Sequence, residues 1–241
     1  MLVLTREYNI SFERPCRGRR VAGAAAALAV ALACALPGLP GTRAFYGVSD
    51  RDTHVFVLPD VRVSLTEQWS AQDGLGLAPG TTVVKKPVVA NEAGPCYLRM
   101  IVRISDDSGA ILAPDRDSAR FRAIAGTLWS DPQGRIEAGR PYSTDELLQL
   151  DGVARLYDAT AFRAPHFDKK LGGLVFEHDG TFEAGSSCEL FTKVVVPTEY
   201  TEADVELMGT YRLGIQAQAI QASGFADQHA AMEALSKEWS Q

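Results

Sequence analysis

Hydrophobic and polar positions alternate along much of the chain after residue 60. Val61, Val63 and Leu65 are interleaved with Arg62, Ser64 and Thr66, the two-residue period of a half-buried strand. Residues 81–89 are rich in β-branched side chains and follow Pro79-Gly80, a turn signal. Leu98, Met100, Val102 and Ile104 alternate with Arg99, Ile101 and Arg103, and Asp106-Asp107-Ser108-Gly109 closes that strand. Residues 174–177 and 181–183 flank His178-Asp179-Gly180, which predicts a hairpin turning on Asp-Gly. Residues 190–196 predict a strand stopped by Pro197. Tyr211, Leu213, Ile215, Ala217 and Ala219 make a last long one.

Two stretches break this rhythm. Residues 117–129 and 144–157 have helical spacing, and Ser143-Thr-Asp-Glu146 opens the second as a capping box. Both lie in an excursion at about residues 105–172. A short C-terminal helix is predicted over 227–239. The expected fold is mainly β, a jelly-roll-like β-sandwich with a partly helical insertion.

The N-terminal region differs from the rest. Arg14, Arg17, Arg19 and Arg20 precede an apolar run from Val21 to Ala35, which a Pro/Gly break at 37–41 follows. A basic region, an apolar run of about 15 residues and small residues ahead of a cut describe a secretory signal. The Ala-rich run followed by Pro37 and Pro40 makes a poor membrane span, so no stable span is expected after cleavage. Two cuts suit this signal, one after Thr42-Arg43-Ala44 and one after Ala33-Cys34-Ala35; the first makes residues 1–44 the cleaved signal and 45–241 the mature domain. The residues ahead of the basic cluster, 1–12, add nothing to the signal.

Removing residues 1–44 takes away six Arg against Glu7 and Glu13, so the formal charge moves from −6 to −10. Such an acidic chain lacks the basic face that nucleic-acid binding needs. Of four Cys only Cys96 and Cys188 remain, the number for one disulfide in an exported protein. Two free buried thiols are the alternative. No HExxH, GxSxG or Walker pattern is present. His54, His166, His178 and His229 are scattered. His178 between Glu177 and Asp179, Asp115 with Asp117, and His166 near Asp168 read better as loop residues than as ligands. No catalytic residue, metal site or cofactor is assigned, and the chain is not expected to be an enzyme.

The order of short patterns is more distinctive. Thr42-Arg-Ala-Phe45 leads to Asp50 and Asp52, then come Val61-Arg-Val-Ser-Leu-Thr-Glu67 and Trp69. Pro79-Gly80 next feeds Lys85-Lys-Pro-Val-Val-Ala-Asn91, followed by Cys96-Tyr-Leu-Arg-Met-Ile-Val102. This succession resembles the TasA/camelysin family of exported bacterial proteins, as do Leu190–Pro197 and the stretch 217–225. The resemblance touches both ends of the mature chain and leaves 105–172 unmatched. Cys96 and Cys188 are not part of the family pattern.

The resemblance implies processing by a SipW-type signal peptidase, with the cut between Ala44 and Phe45. It implies a secreted matrix or cell-surface protein whose partner is a second copy of itself. In such fibres the freed N-terminal segment adds a strand to the next subunit's sandwich. Here that donor is Val55, Phe56, Val57 and Leu58, an extended segment suited to a sheet edge. The same residues also suit the first strand of their own domain. Camelysin-like relatives carry a metallopeptidase label, and a monomeric surface-adhesion protein is a further alternative.

Overall fold

The alternating runs become strands of three antiparallel sheets. The computed structural model describes residues 2–10, 61–69 and 77–238. The expected signal run, the expected cut between Ala44 and Phe45, and the expected donor residues Val55, Phe56, Val57 and Leu58 lie outside the described residues.

The strands are β1 (Leu2–Ile10), β2 (Val63–Gln68), β3 (Thr82–Val84), β4 (Lys86–Asn91), β5 (Cys96–Asp106) and β6 (Leu128–Ser130). They continue with β7 (Ala154–Arg155), β8 (His166–Asp168), β9 (Gly173–Glu177), β10 (Ser187–Glu189), β11 (Lys193–Val195) and β12 (Tyr211–Gln221). The helices are α1 (Ser118–Ala125), α2 (Thr144–Gln149), α3 (Glu202–Met208) and α4 (Gln228–Glu238). One sheet runs β1-β12-β5-β9-β8, the second β10-β4-β2, and the third β3-β11-β6-β7. The chain is mainly β.

The centre is the pair β5–β12, which matches Cys96 to Gln221 and Asp106 to Tyr211 over eleven residues. Leu98, Met100, Val102 and Ile104 of β5 and Leu213, Ile215, Ala217 and Ala219 of β12 fill the main core. Their period-2 spacing is what sends them to one face. The opposite face is covered as well. Ile101 and Arg99 are buried, and the Arg99 guanidinium donates to Gln218 Oε1 at 2.6 Å and to Ser236 Oγ on α4 at 2.8 Å. That second cover explains why the middle of both strands is buried without alternation.

Three expectations change. The run 81–89 is not one strand but two: β3 pairs with β11, whereas β4 pairs with β2 and β10. Lys85 is the switch between sheets, its N–H donating to the Thr192 carbonyl at 3.1 Å. The Asp-Gly hairpin does not form either. Glu177 lies opposite Arg99, and Phe182 then exchanges two backbone hydrogen bonds with Cys96, so the chain stays on the same edge of β5. Asp179 and Gly180 (φ 73°) form a bulge in that ladder. Finally, the two predicted helices are shorter than their patterns. The stretch 117–129 ends in strand β6, and 144–157 ends in β7.

The excursion is thus woven into the sheets, with β6 and β7 in one and β8 in another. Its residues Trp129, Ile136, Tyr142 and Leu147 form a small second cluster with Val195 of β11. The capping box at Ser143 and Glu146 is formed as expected.

Candidate functional site

The residues of the two central patterns meet in space. β2 pairs with β4 so that Val63 faces Asn91, Leu65 faces Val89 and Glu67 faces Pro87. Lys85, one residue before β4, reaches back to the Glu67 carboxylate, and both side chains are closed to solvent at 0% and 1% exposure. The Lys85 ammonium also lies 4.8 Å from the centre of the Trp69 ring. Burial lowers the Lys85 pKa, and the Glu67 charge and hydrogen bond act against that fall. Asn91 finishes the unit: its amide donates to Phe182 O at 2.8 Å and Gly94 O at 2.9 Å, and its oxygen accepts from Ala93 N–H at 3.1 Å. This fastens the link 92–95 between β4 and β5. The polar residues of these patterns therefore build a frame, with Lys85 and Glu67 paired inside it.

What this frame positions is sheet edge. β2 is the outer strand of its sheet, and in sequence the segment that ends at Asp60 leads directly into it. On the central sheet β12 is covered on its outer side by β1, matched from Leu2 opposite Ala219 to Ile10 opposite Tyr211. Main-chain N–H and C=O groups along such an edge can recruit another extended segment.

The other candidates lie in strand ends and loops: His166 and Asp168, expected in a loop, are the two ends of β8, and Glu177 ends β9. The His178 carbonyl accepts from Gln228 Nε2 at 2.7 Å, and its ring packs against Phe162 and Phe182 at 5.9 and 5.0 Å. Asp179 pairs with Arg163 at 2.8 Å and Asp115 with Lys169 at 2.7 Å. Asp117 accepts from Ala113 N–H and Arg116. Asp168 holds the turn after β8 through Lys170 and Leu171 N–H. Among the described residues no three of His, Cys, Asp and Glu come together as a metal site would need. No helix among them is long and apolar enough to cross a membrane.

Cys96 and Cys188 are both buried, and the structure holds them as free thiols rather than as the expected bridge. Burial pushes Cys96 up to about 11 and Cys188 up to about 12, with nearby Glu183 adding to the first and Asp158 to the second. Thiolate, the species that exchanges and alkylates, is therefore scarce at neutral pH. Folded protein should resist iodoacetamide at both positions, and urea-unfolded protein should be labelled at both. A peptide linking the two under non-reducing conditions would instead establish the bridge.

The same shifts have a pH consequence. A thiol raised above its ordinary 9.0 favours the folded state while protonated. That contribution is complete below the unfolded value and is lost as pH rises through about 11 and about 12. The buried Tyr211 phenol, pushed up to about 12, acts with the same sign. The urea midpoint should fall through this alkaline range, and Cys96→Ala/Cys188→Ala should flatten part of the fall.

No family model, curated protein or solved structure matches the chain. Sequence reasoning missed three features of the fold. Lys85 was read as mid-strand, although a lysine between two apolar strand runs marks a break. Asp131 was not singled out; its carboxylate accepts from Arg135 and Ile136 N–H at 2.7 and 2.8 Å and shapes the turn after β6. The third is β1.

Proposed function

We propose that the chain is the precursor of a secreted matrix or cell-surface structural protein. After a signal peptidase of the SipW type cuts between Ala44 and Phe45, the freed segment adds a strand to a second copy. The sandwich in this reading is of jelly-roll type, and repeated head-to-tail addition grows a fibre because a heterologous contact does not close. The observation that carries the reading is the frame. The Val61–Glu67 and Lys85–Asn91 patterns on which the family resemblance rests interlock through Glu67, Lys85 and Asn91 into one buried unit. That unit anchors the strand into which the new N-terminus runs. The charge of −10 left after cutting opposes lateral packing, so assembly should respond to salt.

The test compares two proteins, one starting at Phe45 and one at Val61. The first should sediment as high-mass fibres visible by electron microscopy, and the second as monomer. Identical sedimentation refutes donor-strand addition. N-terminal sequencing of exported material should begin at Phe45.

A further inference from the structure

The face of the central sheet that α4 covers is polar. Alternation along β5 and β12 puts Arg99 opposite Gln218 and Ile101 opposite Gln216 on this face. Arg99, Gln216 and Gln218 are all buried, and the layer does not satisfy itself. Arg99 Nη2, Gln216 Oε1 and Gln218 Nε2 are closed to solvent and lack hydrogen-bond partners among the described residues. Native proteins leave few such groups, and each calls for an explanation.

Arg99 is the extreme case. A guanidinium keeps its charge inside a protein, so burying one without a carboxylate is costly. Its two hydrogen bonds go to neutral groups, Gln218 Oε1 at 2.6 Å and Ser236 Oγ at 2.8 Å. Among the described residues no carboxylate pairs with it. Burial lowers its pKa, and Asp168 and Glu177 counter that only through their charge. Asp168 is engaged elsewhere, its Oδ1 accepting from the Lys170 and Leu171 N–H groups at 2.7 and 3.0 Å.

Ser236 connects this guanidinium to open space. It lines a cleft of about 420 Å³ between α4 and the turn after β8, with Glu233 and Lys237 beside it and residues 166–171 opposite. Arg103 steadies that turn, its Nε–H donating to the Leu171 carbonyl at 2.8 Å. Lys169, Lys170 and Lys237 converge here in a chain whose formal charge is −6. Lys169 pairs with Asp115 and Lys237 with Glu233, but these pairs are exposed and therefore weak. Lys170 has no ion-pair partner among the described residues. The carbonyl end of α4 works against an anion, and Lys237 in its last turn offsets that.

We propose that this cleft binds the oxyanion group of a small organic ligand, a carboxylate or a phosphate, and that Arg99 is its buried counter-charge. The proposal is independent of fibre growth. Lys170 and Lys237 meet the anion at the mouth, and Ser236 turns aside so that the spare Nη2 reaches it. Arg99 and the three lysines outnumber Asp168 and Glu233, which sets the sign of the ligand. The space exceeds what a lone oxyanion fills, so the anion is one end of a larger molecule.

Isothermal titration of the full chain at fixed ionic strength tests this, with inorganic phosphate and glucuronate as probes and chloride as the control. At least one probe should bind saturably at a single site with Kd below ~1 mM, and the tighter one names the oxyanion. Lys170→Glu should weaken binding at least ~10-fold. Glu233→Gln, which frees Lys237, should tighten it by ~2–5-fold. Both positions are exposed, so neither change threatens the fold. The Arg99 Nε–H signal in ¹⁵N NMR should move in step with saturation, a readout that needs no variant at a buried residue. Absence of saturable binding by either probe would overturn the proposal, as would binding that Lys170→Glu leaves unchanged. Binding with a stationary Arg99 signal would overturn the counter-charge role.

Discussion

Replacing Glu67 with Gln should lower the unfolding free energy by ~3–5 kcal/mol, the cost of leaving one member of a buried ion pair without its partner. Lys85 has no solvent to turn to, since its side chain is fully buried. Its interaction with the Trp69 ring offsets only ~0.5–2 kcal/mol of that loss. The double variant Glu67→Leu/Lys85→Met should recover most of the stability, because an apolar pair of similar volume also removes both desolvation costs. Urea denaturation of the two single variants and the double closes the cycle. A single-variant loss below ~1 kcal/mol, the range of exposed pairs, would show that the pair is not buried in solution. The pair's value lies in register more than in net stability. A one-residue slip of β2 along β4 would turn Glu67 to the other face and strand Lys85.

Trp129→Ala should cost a comparable ~3–5 kcal/mol, the range for deleting a fully buried large aromatic. Its ring centres the cluster of Ile136, Tyr142, Leu147 and Val195, and its Nε1–H donates to the Gly126 carbonyl at 3.1 Å. β6, which carries Trp129, is also the strand that joins β7 to β11. Hydrogen exchange should therefore show lost protection first in α2 and β7, and little change in β5 and β12. Trp129→Phe keeps most of the ring area and gives up the hydrogen bond, a loss of ~0.5–1.5 kcal/mol from that bond. Uniform loss of protection across the sheets would mean that this cluster and the main core unfold as one.

Those two sites illustrate which parts of the fold sequence reading reaches. β5 and β12 are legible because eleven residues of alternation leave no other reading. Their extra burial is not legible, since it depends on α4 lying across the second face. Alternation predicts a strand but not its partners, so the run 81–89 reads as continuous although Lys85 divides it between sheets. Asp179-Gly180 is sound as a backbone reversal signal, yet the pull of β5 on both flanking segments makes it a bulge. Ser143 and Glu146 announce α2. Thr201 and Asp204 form the same box for α3, which escapes notice because only Met208 of that helix is buried. Strands of two or three residues, as in β7 and β8, carry no period at all. For the candidate site, the pattern residues were visible one by one, but the Glu67–Lys85 contact joins positions eighteen apart and needed the hairpin register. Leu2, Leu4, Tyr8 and Ile10 share one parity of β1, but Arg6 interrupts that face and Val3 is apolar on the other, so the alternation is weaker than in β5 or β12. The sequence gives no reason to expect a strand there, since the stretch precedes the basic cluster of the expected signal.

The Asn91 link has a mechanical meaning. In the fibre proposed above, tension would enter the domain at Val63 and pass to β12 in the central sheet. The route between them crosses the β2–β4 ladder, the four residues 92–95, and the β5–β12 ladder. Ladder hydrogen bonds lie perpendicular to the strands, so a pull along the strands loads many of them at once. The four-residue joint has no such sharing, and the two carbonyls and one N–H held by Asn91 are its reinforcement. Under load, Asn91 is where such a fibre would be expected to yield first.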